Sequence, residues 1–256
     1  MDRGRPGDGG TWGMQELMSR FVWADLSTYD PARSREFYTA VFGWGFIDAG
    51  GYWVATDGSA EVAGLFETPA FFQKIKMPHF WMSYVSVDDA AATAETARRY
   101  FPEAKVETTD DFYGGKVALI RDPQGAGFTA YDGGRLDARR AGPGRLMWNE
   151  LHVSDAPRVL PFYERLFGWE ATPGVSAGSY ELRGGGSHVA DVLVLPNDVK
   201  GEYEYWACTF GVADLDGATR RVEAAGGAVI SDEGGRRLVC DDSGEAFFYV
   251  QGVDRF

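Results

Sequence analysis

From Phe21 the side chains alternate. Trp23, Asp25 and Ser27 fall on one side of an extended chain and Val22, Ala24 and Leu26 on the other, a period of two that predicts a β-strand. The pattern then changes. Asp30 followed by Pro31 is a helix start: the carboxylate can accept from the free N–H groups of a first turn, and proline has no N–H to leave unpaired. Phe37, Val41 and Phe42 form an apolar stripe with Arg33, Arg35 and Glu36 elsewhere, and Gly43 supplies a stop. Short aromatic and β-branched runs with glycine punctuation follow: Tyr52–Thr56, Glu61–Phe66, Lys116–Ile120 and Gly127–Tyr131. The unit is therefore a strand, a helix and about three more strands.

The same stretch occurs twice. FVWADLSTYDPARSREFYTAVFGW (21–44) aligns without gaps to LMWNELHVSDAPRVLPFYERLFGW (146–169), pairing Trp23 with Trp148, Asp30 with Asp155, and Phe37, Tyr38, Phe42, Gly43 and Trp44 with Phe162, Tyr163, Phe167, Gly168 and Trp169. The same spacing joins Trp81 to Trp206 and Asp89 to Asp214, and RDPQGAGF (121–128) recurs loosely as CDDSGEAF (240–247). A duplicated domain explains this most simply. Within each half, FWMSYVSVDDAAAT and WACTFGVADLDGAT are fainter copies of the opening strand, aspartate and helix. The expected organisation is an arm over 1–19, one domain over 20–131, a Gly- and Pro-rich linker over 132–145 and a second domain over 146–252. Pro161 inside the copied helix is expected to shorten or kink it.

Charge narrows the partners. A formal charge of −13 argues against nucleic acid and anionic membranes, both of which need clustered Lys and Arg. There is no secretory signal pattern, no long apolar run and no Cys/His framework around the two cysteines. These features predict a cytoplasmic protein with no nucleic-acid or membrane partner.

The strand followed by D-x-x-x-S-x-x-FY-x-x-x-FGW (Asp30–Trp44), its second copy, and the DPQG turn (Asp122–Gly125) resemble the vicinal oxygen chelate superfamily, which comprises glyoxalase I, bleomycin resistance proteins and extradiol dioxygenases. The resemblance covers nearly all of residues 20–252. It implies an α+β fold of two tandem glyoxalase-like domains, each of paired βαβββ modules curled into an open β-sheet cup that takes a small-molecule ligand. Since single-domain relatives dimerise to complete their module arrangement and a tandem chain can do so within itself, it also implies a monomer in preference to a homodimer. It also implies a divalent metal in the enzymatic members, held from the first strand and a later strand of each module. Carried over to this sequence, the first-strand places are Trp23 and Trp148, with Trp81/Met82 and Trp206/Ala207 in the other modules. The later-strand places are Thr129, Phe248 and, near gaps, Gly64 and Asp191. Trp at the first-strand places offers no ligand to a cation that requires several N or O donors, so no cofactor is expected. A divalent metal in the second domain, from among Glu150, His152, Asp191 and Cys208, is the exception to be tested.

The expected ligand-binding residues are Trp23, Asp25, Trp81, Ser83, Trp148, Glu150, His152, Trp206 and Cys208. An indole in a cup stacks on a flat ligand, or else simply fills the core. Asp25 and Glu150 share the parity of Trp23 and Trp148 and are the candidate acid/base groups, against a purely structural role. His79 and His188 read as strand-end residues, Cys208 and Cys240 as buried thiols, and the glycine pairs as hairpin turns. Three functional readings stay open: a metal-free binding protein for a small apolar or aromatic metabolite; a lyase, isomerase or dioxygenase with an unusual metal or an acid/base pair; and an interaction protein with filled, vestigial cups.

Overall fold

A computed structural model describes residues 19–137 and 142–255. The expected amino-terminal arm, apart from Ser19, and the middle of the linker lie outside the described residues. The first half runs β1 (Phe21–Thr28), α1 (Pro31–Phe42), β2 (Gly45–Asp48), β3 (Tyr52–Thr56), β4 (Glu61–Glu67), α2 (Ala70–Lys74), β5 (Phe80–Ser86), α3 (Ala90–Tyr100), β6 (Lys105–Phe112), β7 (Gly115–Arg121) and β8 (Gly127–Tyr131). The second repeats it with β9 (Leu146–Val153), α4 (Ala156–Phe167), β10 (Glu170–Pro173), β11 (Ser179–Gly184), β12 (Ser187–Val194), α5 (Asn197–Lys200), β13 (Tyr205–Val212), α6 (Leu215–Ala224), β14 (Ala228–Asp232), β15 (Arg236–Cys240) and β16 (Phe247–Gly252). Strand order is β2-β3-β4-β1-β5-β8-β7-β6 in one eight-stranded sheet and β10-β11-β12-β9-β13-β16-β15-β14 in the other. Neither sheet closes. The α+β fold of two tandem glyoxalase-like domains is the one the sequence implies.

Local chemistry sets the helix ends. Asp30 accepts from the Arg33 N–H at 3.0 Å, and Gly43 and Gly168 end α1 and α4 at φ 75° and 65°, where a side chain would be strained. Pro161 does not shorten α4, which has the same 12 residues as α1. The helix is held by burial of Val159, Phe162, Tyr163 and Phe167, so packing outweighs the lost backbone bond.

One face of each sheet packs against the other half, and the opposite face forms the cup. α1 packs on α6 and α3 on α4, while β5 meets β13 between them. One shared core contains Phe21, Phe128, Phe162, Tyr163, Trp169 and Trp206; the other contains Phe37, Tyr38, Trp44, Trp81, Phe210 and Phe248. Each core draws side chains from both halves, so the halves fold against one another rather than as separate beads. On the cup face of the first sheet lie Val22, Trp23, Met82, Tyr84 and Tyr131. Val22 departs from simple alternation because the register shifts between Phe21 and Trp23.

Among the described residues no helix is long and apolar enough to cross a membrane.

Candidate functional site

Four expected ligand-binding residues lie on the wrong face for a cup. Trp81, Ser83, Trp206 and Cys208 belong to the contact between the two sheets and not to a cup, which corrects their placement, although Trp81 and Trp206 also border a cavity at the seam between the halves. Ser83 Oγ accepts from Asn149 Nδ2 at 2.8 Å and lies 3.4 Å from Cys208 Sγ, all buried. Burial raises the Cys208 thiol to about 12, so it stays protonated. Trp81 Nε1 donates to the Tyr38 hydroxyl, which donates to Asp241 of the other half. Its counterpart runs from Trp206 to Tyr163 to Asp122. Asp122 also accepts from the N–H groups of Gln124, Gly125 and Ala126, so the repeated FY and DPQG motifs meet as a joint between the halves.

The cup positions are Trp23, Asp25 and Ser27 in the first sheet and Trp148, Glu150 and His152 in the second. A cavity of about 210 Å³ opens in the first. Met82, Tyr84, Val117, Leu119 and Thr129 form its largely apolar walls, with Asp25 at the floor. Arg121 and Glu107 pair at its rim, 2.5 Å apart. Asp25 is 1% exposed. Its Oδ2 accepts from the Tyr84 hydroxyl at 2.6 Å and the Tyr52 hydroxyl at 3.4 Å, while Oδ1 has no hydrogen-bond partner. Tyr52 in turn accepts from Trp23 Nε1 at 3.0 Å, which fixes the direction of the chain because an indole only donates. Burial pushes the Asp25 carboxyl up to about 7, with the tyrosine hydrogen bonds opposing the rise. It can therefore gain or lose a proton near neutral pH, whereas burial keeps the Tyr84 and Tyr52 hydroxyls protonated.

Strand pairing gives the equivalent places in the second cup. Tyr84 faces Thr129 as Thr209 faces Tyr249, and Leu119 faces Thr129 as Leu238 faces Tyr249. Arg236, Tyr249, Tyr205 and His152 thus stand where the first cup has Val117, Thr129, Phe80 and Ser27. The guanidinium of Arg236 lies 4.1 Å from the Tyr249 ring centre and donates to both oxygens of Glu150, at 3.1 and 3.3 Å. His152 Nε2 lies 2.7 Å from Glu150 Oε1, and its Nδ1 is 3.0 Å from the Tyr205 hydroxyl. Burial alone would raise Glu150, but His152 and Arg236 outweigh it and hold the carboxyl below its usual range. It is a satisfied anion rather than a free base.

The same equivalences test the places at which relatives hold a metal. The first cup presents Trp23, Met82, Gly64 and Thr129. Gly64 lies opposite Asp25, and any side chain there would collide with the Tyr52 hydroxyl. In the second sheet the later-strand place is Tyr249, not Phe248 as the sequence spacing placed it; Phe248 is in the shared core. That cup presents Trp148, Ala207, Asp191 and Tyr249, and Asp191 is bound to Trp148 Nε1 at 2.7 Å and His188 at 2.9 Å. Among the described residues no three His, Cys, Asp or Glu side chains converge as a metal group would require.

Sequence reasoning missed Tyr52, Tyr84 and Arg236. A signal for Tyr84 existed: counting back seven from Asp89, as from Asp30 to Trp23, selects Met82 and therefore puts Tyr84 on the cup face.

A second cavity, of about 340 Å³, lies at the seam between the halves, bounded by the segments before β5 and β13 and by the glycine turns at Gly125 and Gly244. There Lys200 Nζ is buried, held by the Gly201 and Tyr203 carbonyls and by Glu204 at 3.1 Å.

The family model of the Glyoxalase/Bleomycin resistance protein/Dioxygenase superfamily matches residues 20–129 and 145–242. A Mycobacterium tuberculosis protein carrying the name glyoxylase CFP32 is 30% identical over 244 residues, 89% of this chain and 92% of that protein. The anthracycline biosynthesis protein DnrV of Streptomyces peucetius is 28% identical over 268 residues, 91% of this chain and 95% of that protein. Many solved structures share the fold. A Mn(II)-bound glyoxalase from Novosphingobium aromaticivorans matches at TM-score 0.62 and 13% identity, covering 92% of this chain and 82% of its own. A 2,2',3-trihydroxybiphenyl 1,2-dioxygenase from Sphingomonas wittichii matches at 0.64 and 14%, covering 92% and 90%.

Proposed function

This chain belongs to the Glyoxalase/Bleomycin resistance protein/Dioxygenase superfamily, and within it we propose a protein that binds a small, mainly apolar or aromatic molecule in its first cup, without a metal. The observation that carries the reading is the difference between the cups. One encloses about 210 Å³ against apolar walls; at the equivalent places of the other, an arginine, two tyrosines and a histidine fill the space around an ion pair.

Size limits the ligand. Small-molecule pockets usually run to about 300–1,000 Å³, so the first cup alone suits a molecule, or part of one, of about one or two rings. The walls reward apolar surface. The Arg121–Glu107 pair at the rim and Asp25 at the floor supply orientation. The relatives named for anthracycline biosynthesis support an aromatic ligand, since an anthracycline is a fused-ring aromatic molecule.

The donors at the family's metal places do not fit a divalent cation. Tryptophan and methionine stand at the first-strand places of the first cup, and the second cup's carboxylates already serve Arg236, Trp148 and His188.

A thermal-shift screen over quinones, dicarbonyls, flavins and antibiotics tests it, because a ligand of the native state raises the melting temperature. The expected hit is lost in Leu119→Trp, which fills the first cup, and kept in Arg236→Lys. A hit that survives Leu119→Trp, or no hit at all, contradicts the reading.

A further inference from the structure

The seam cavity and the first cup share lining residues. Met77, Phe80, Met82 and Arg121 line both, so one layer of side chains separates them. We propose that the two cavities are successive halves of one binding tract, whose ligand is a small aromatic ring bearing a neutral, hydroxyl-rich substituent such as a sugar. This rests on the first-cup reading above and names the ligand class.

The two halves differ in chemistry. The cup is walled mainly by apolar side chains, Phe66, Phe72 and Phe80 together with Met82, Val117 and Leu119, and offers few hydrogen-bonding groups. The seam combines the aromatic rings of Tyr203, Tyr205 and Phe247 with Lys76, Glu204 and Glu245 and with the exposed backbone of glycine turns. Rings beside hydrogen-bonding groups suit a sugar: its C–H face packs on an aromatic ring while its hydroxyls reach polar atoms. Both signs of charge are present, and the ammonium of Lys200 is already paired with Glu204, so neutral hydroxyls fit better than an ion. Glu204 also keeps a buried oxygen, Oε2, without a partner, an acceptor that a hydroxyl donor satisfies.

The partition is built to move. Methionine has three rotatable bonds and a soft thioether, so Met77 and Met82 can repack at small cost. Gly127 backs this layer: a Cβ there would lie 3.3 Å from Met82 Cε and 3.8 Å from Arg121 Nη1. Since Gly127 is not in the left-handed region, alanine is allowed by its backbone and acts by pinning the partition.

Calorimetric titration with two probes, 1-naphthol and 1-naphthyl β-D-glucopyranoside, tests the tract in the full chain. The glucoside is expected to bind wild type about tenfold more tightly than 1-naphthol. Gly127→Ala and Tyr203→Ala should each remove most of that advantage and leave the affinity for 1-naphthol within about twofold. If the glucoside binds no better than 1-naphthol, or keeps its advantage in both variants, the tract is wrong while the cup reading stands. If neither probe binds, or 1-naphthol binding survives Leu119→Trp, the cup reading fails and takes the tract with it. Tyr203 is mostly exposed, so its variant reports on the seam even if Gly127→Ala disturbs folding.

Discussion

The Tyr163 hydroxyl donates to Asp122 Oδ2 at 2.9 Å, a buried bond from the first helix of the second half to the turn between β7 and β8 of the first half. Trp206 Nε1 donates to the same hydroxyl at 3.0 Å. Removing the hydroxyl strands a donor and leaves Asp122 short of one at once. Tyr163→Phe is expected to cost about 1–3 kcal/mol in urea unfolding. Tyr38→Phe should cost less, because the equivalent bond to Asp241 is longer at 3.4 Å. Equal and negligible losses would remove these motifs from the joint between the halves.

Asp25 sets an expected dependence of stability on pH. Its folded pKa of about 7 lies above the unfolded value of 3.8. A group raised in this way contributes its full stability below the unfolded value and loses it as pH rises through the folded one. Three pKa units correspond to about 4 kcal/mol, an order-of-magnitude figure. Asp122 and Asp241 are also raised by burial and act with the same sign. The difference between wild type and Asp25→Asn isolates the one residue. Wild type should lose stability relative to Asp25→Asn between about pH 4 and 7 and change little relative to it above that. Parallel melting curves over that range would show that Asp25 is not buried as described.

Much of this fold could be read from residue order. The offset between Trp23 and Trp148, the cap at Asp30 and the stop at Gly43 are local signals, and local physics fixes them. The cup face of β1 was legible as well, since Asp25 and Ser27 break an otherwise apolar strand. β5 was harder to read. FWMSYVS is apolar on both faces because both are buried, so alternation cannot say which side Trp81 takes. The spacing back from Asp89 is the one local hint; what fixes the face physically is the packing of β5 on β13, residues more than a hundred positions away. Arg236 was hidden differently: deletions shift the repeat spacing after α6, and nothing local marks the arginine as the residue facing Glu150.

The second cup should react sharply to loss of its cation. Arg236→Ala leaves Glu150 buried without its guanidinium partner. A cost of about 1–3 kcal/mol is expected, discounted because Arg236 is partly exposed. Adding Glu150→Gln to Arg236→Ala should recover part of that loss in chemical denaturation. Additive losses would show that the two side chains are not coupled.

Metal addition should have little effect. Protein purified without chelator is expected to carry substoichiometric metal, and added Mn(II), Fe(II) or Zn(II) should not raise its melting temperature. Stoichiometric metal by elemental analysis, lost on mutation of Glu150 or Asp191, would overturn the metal-free reading.

Val117 stands where the second cup carries Arg236, and its smaller, uncharged side chain leaves the first cup open. Val117→Arg brings the same cation to the same place, opposite Asp25. Calorimetric titration of this variant with the best ligand from the thermal screen is the direct test. The expected result is loss of binding with the fold intact by circular dichroism, matched by unchanged binding in Arg236→Lys. Undiminished binding in Val117→Arg would place the ligand outside the first cup.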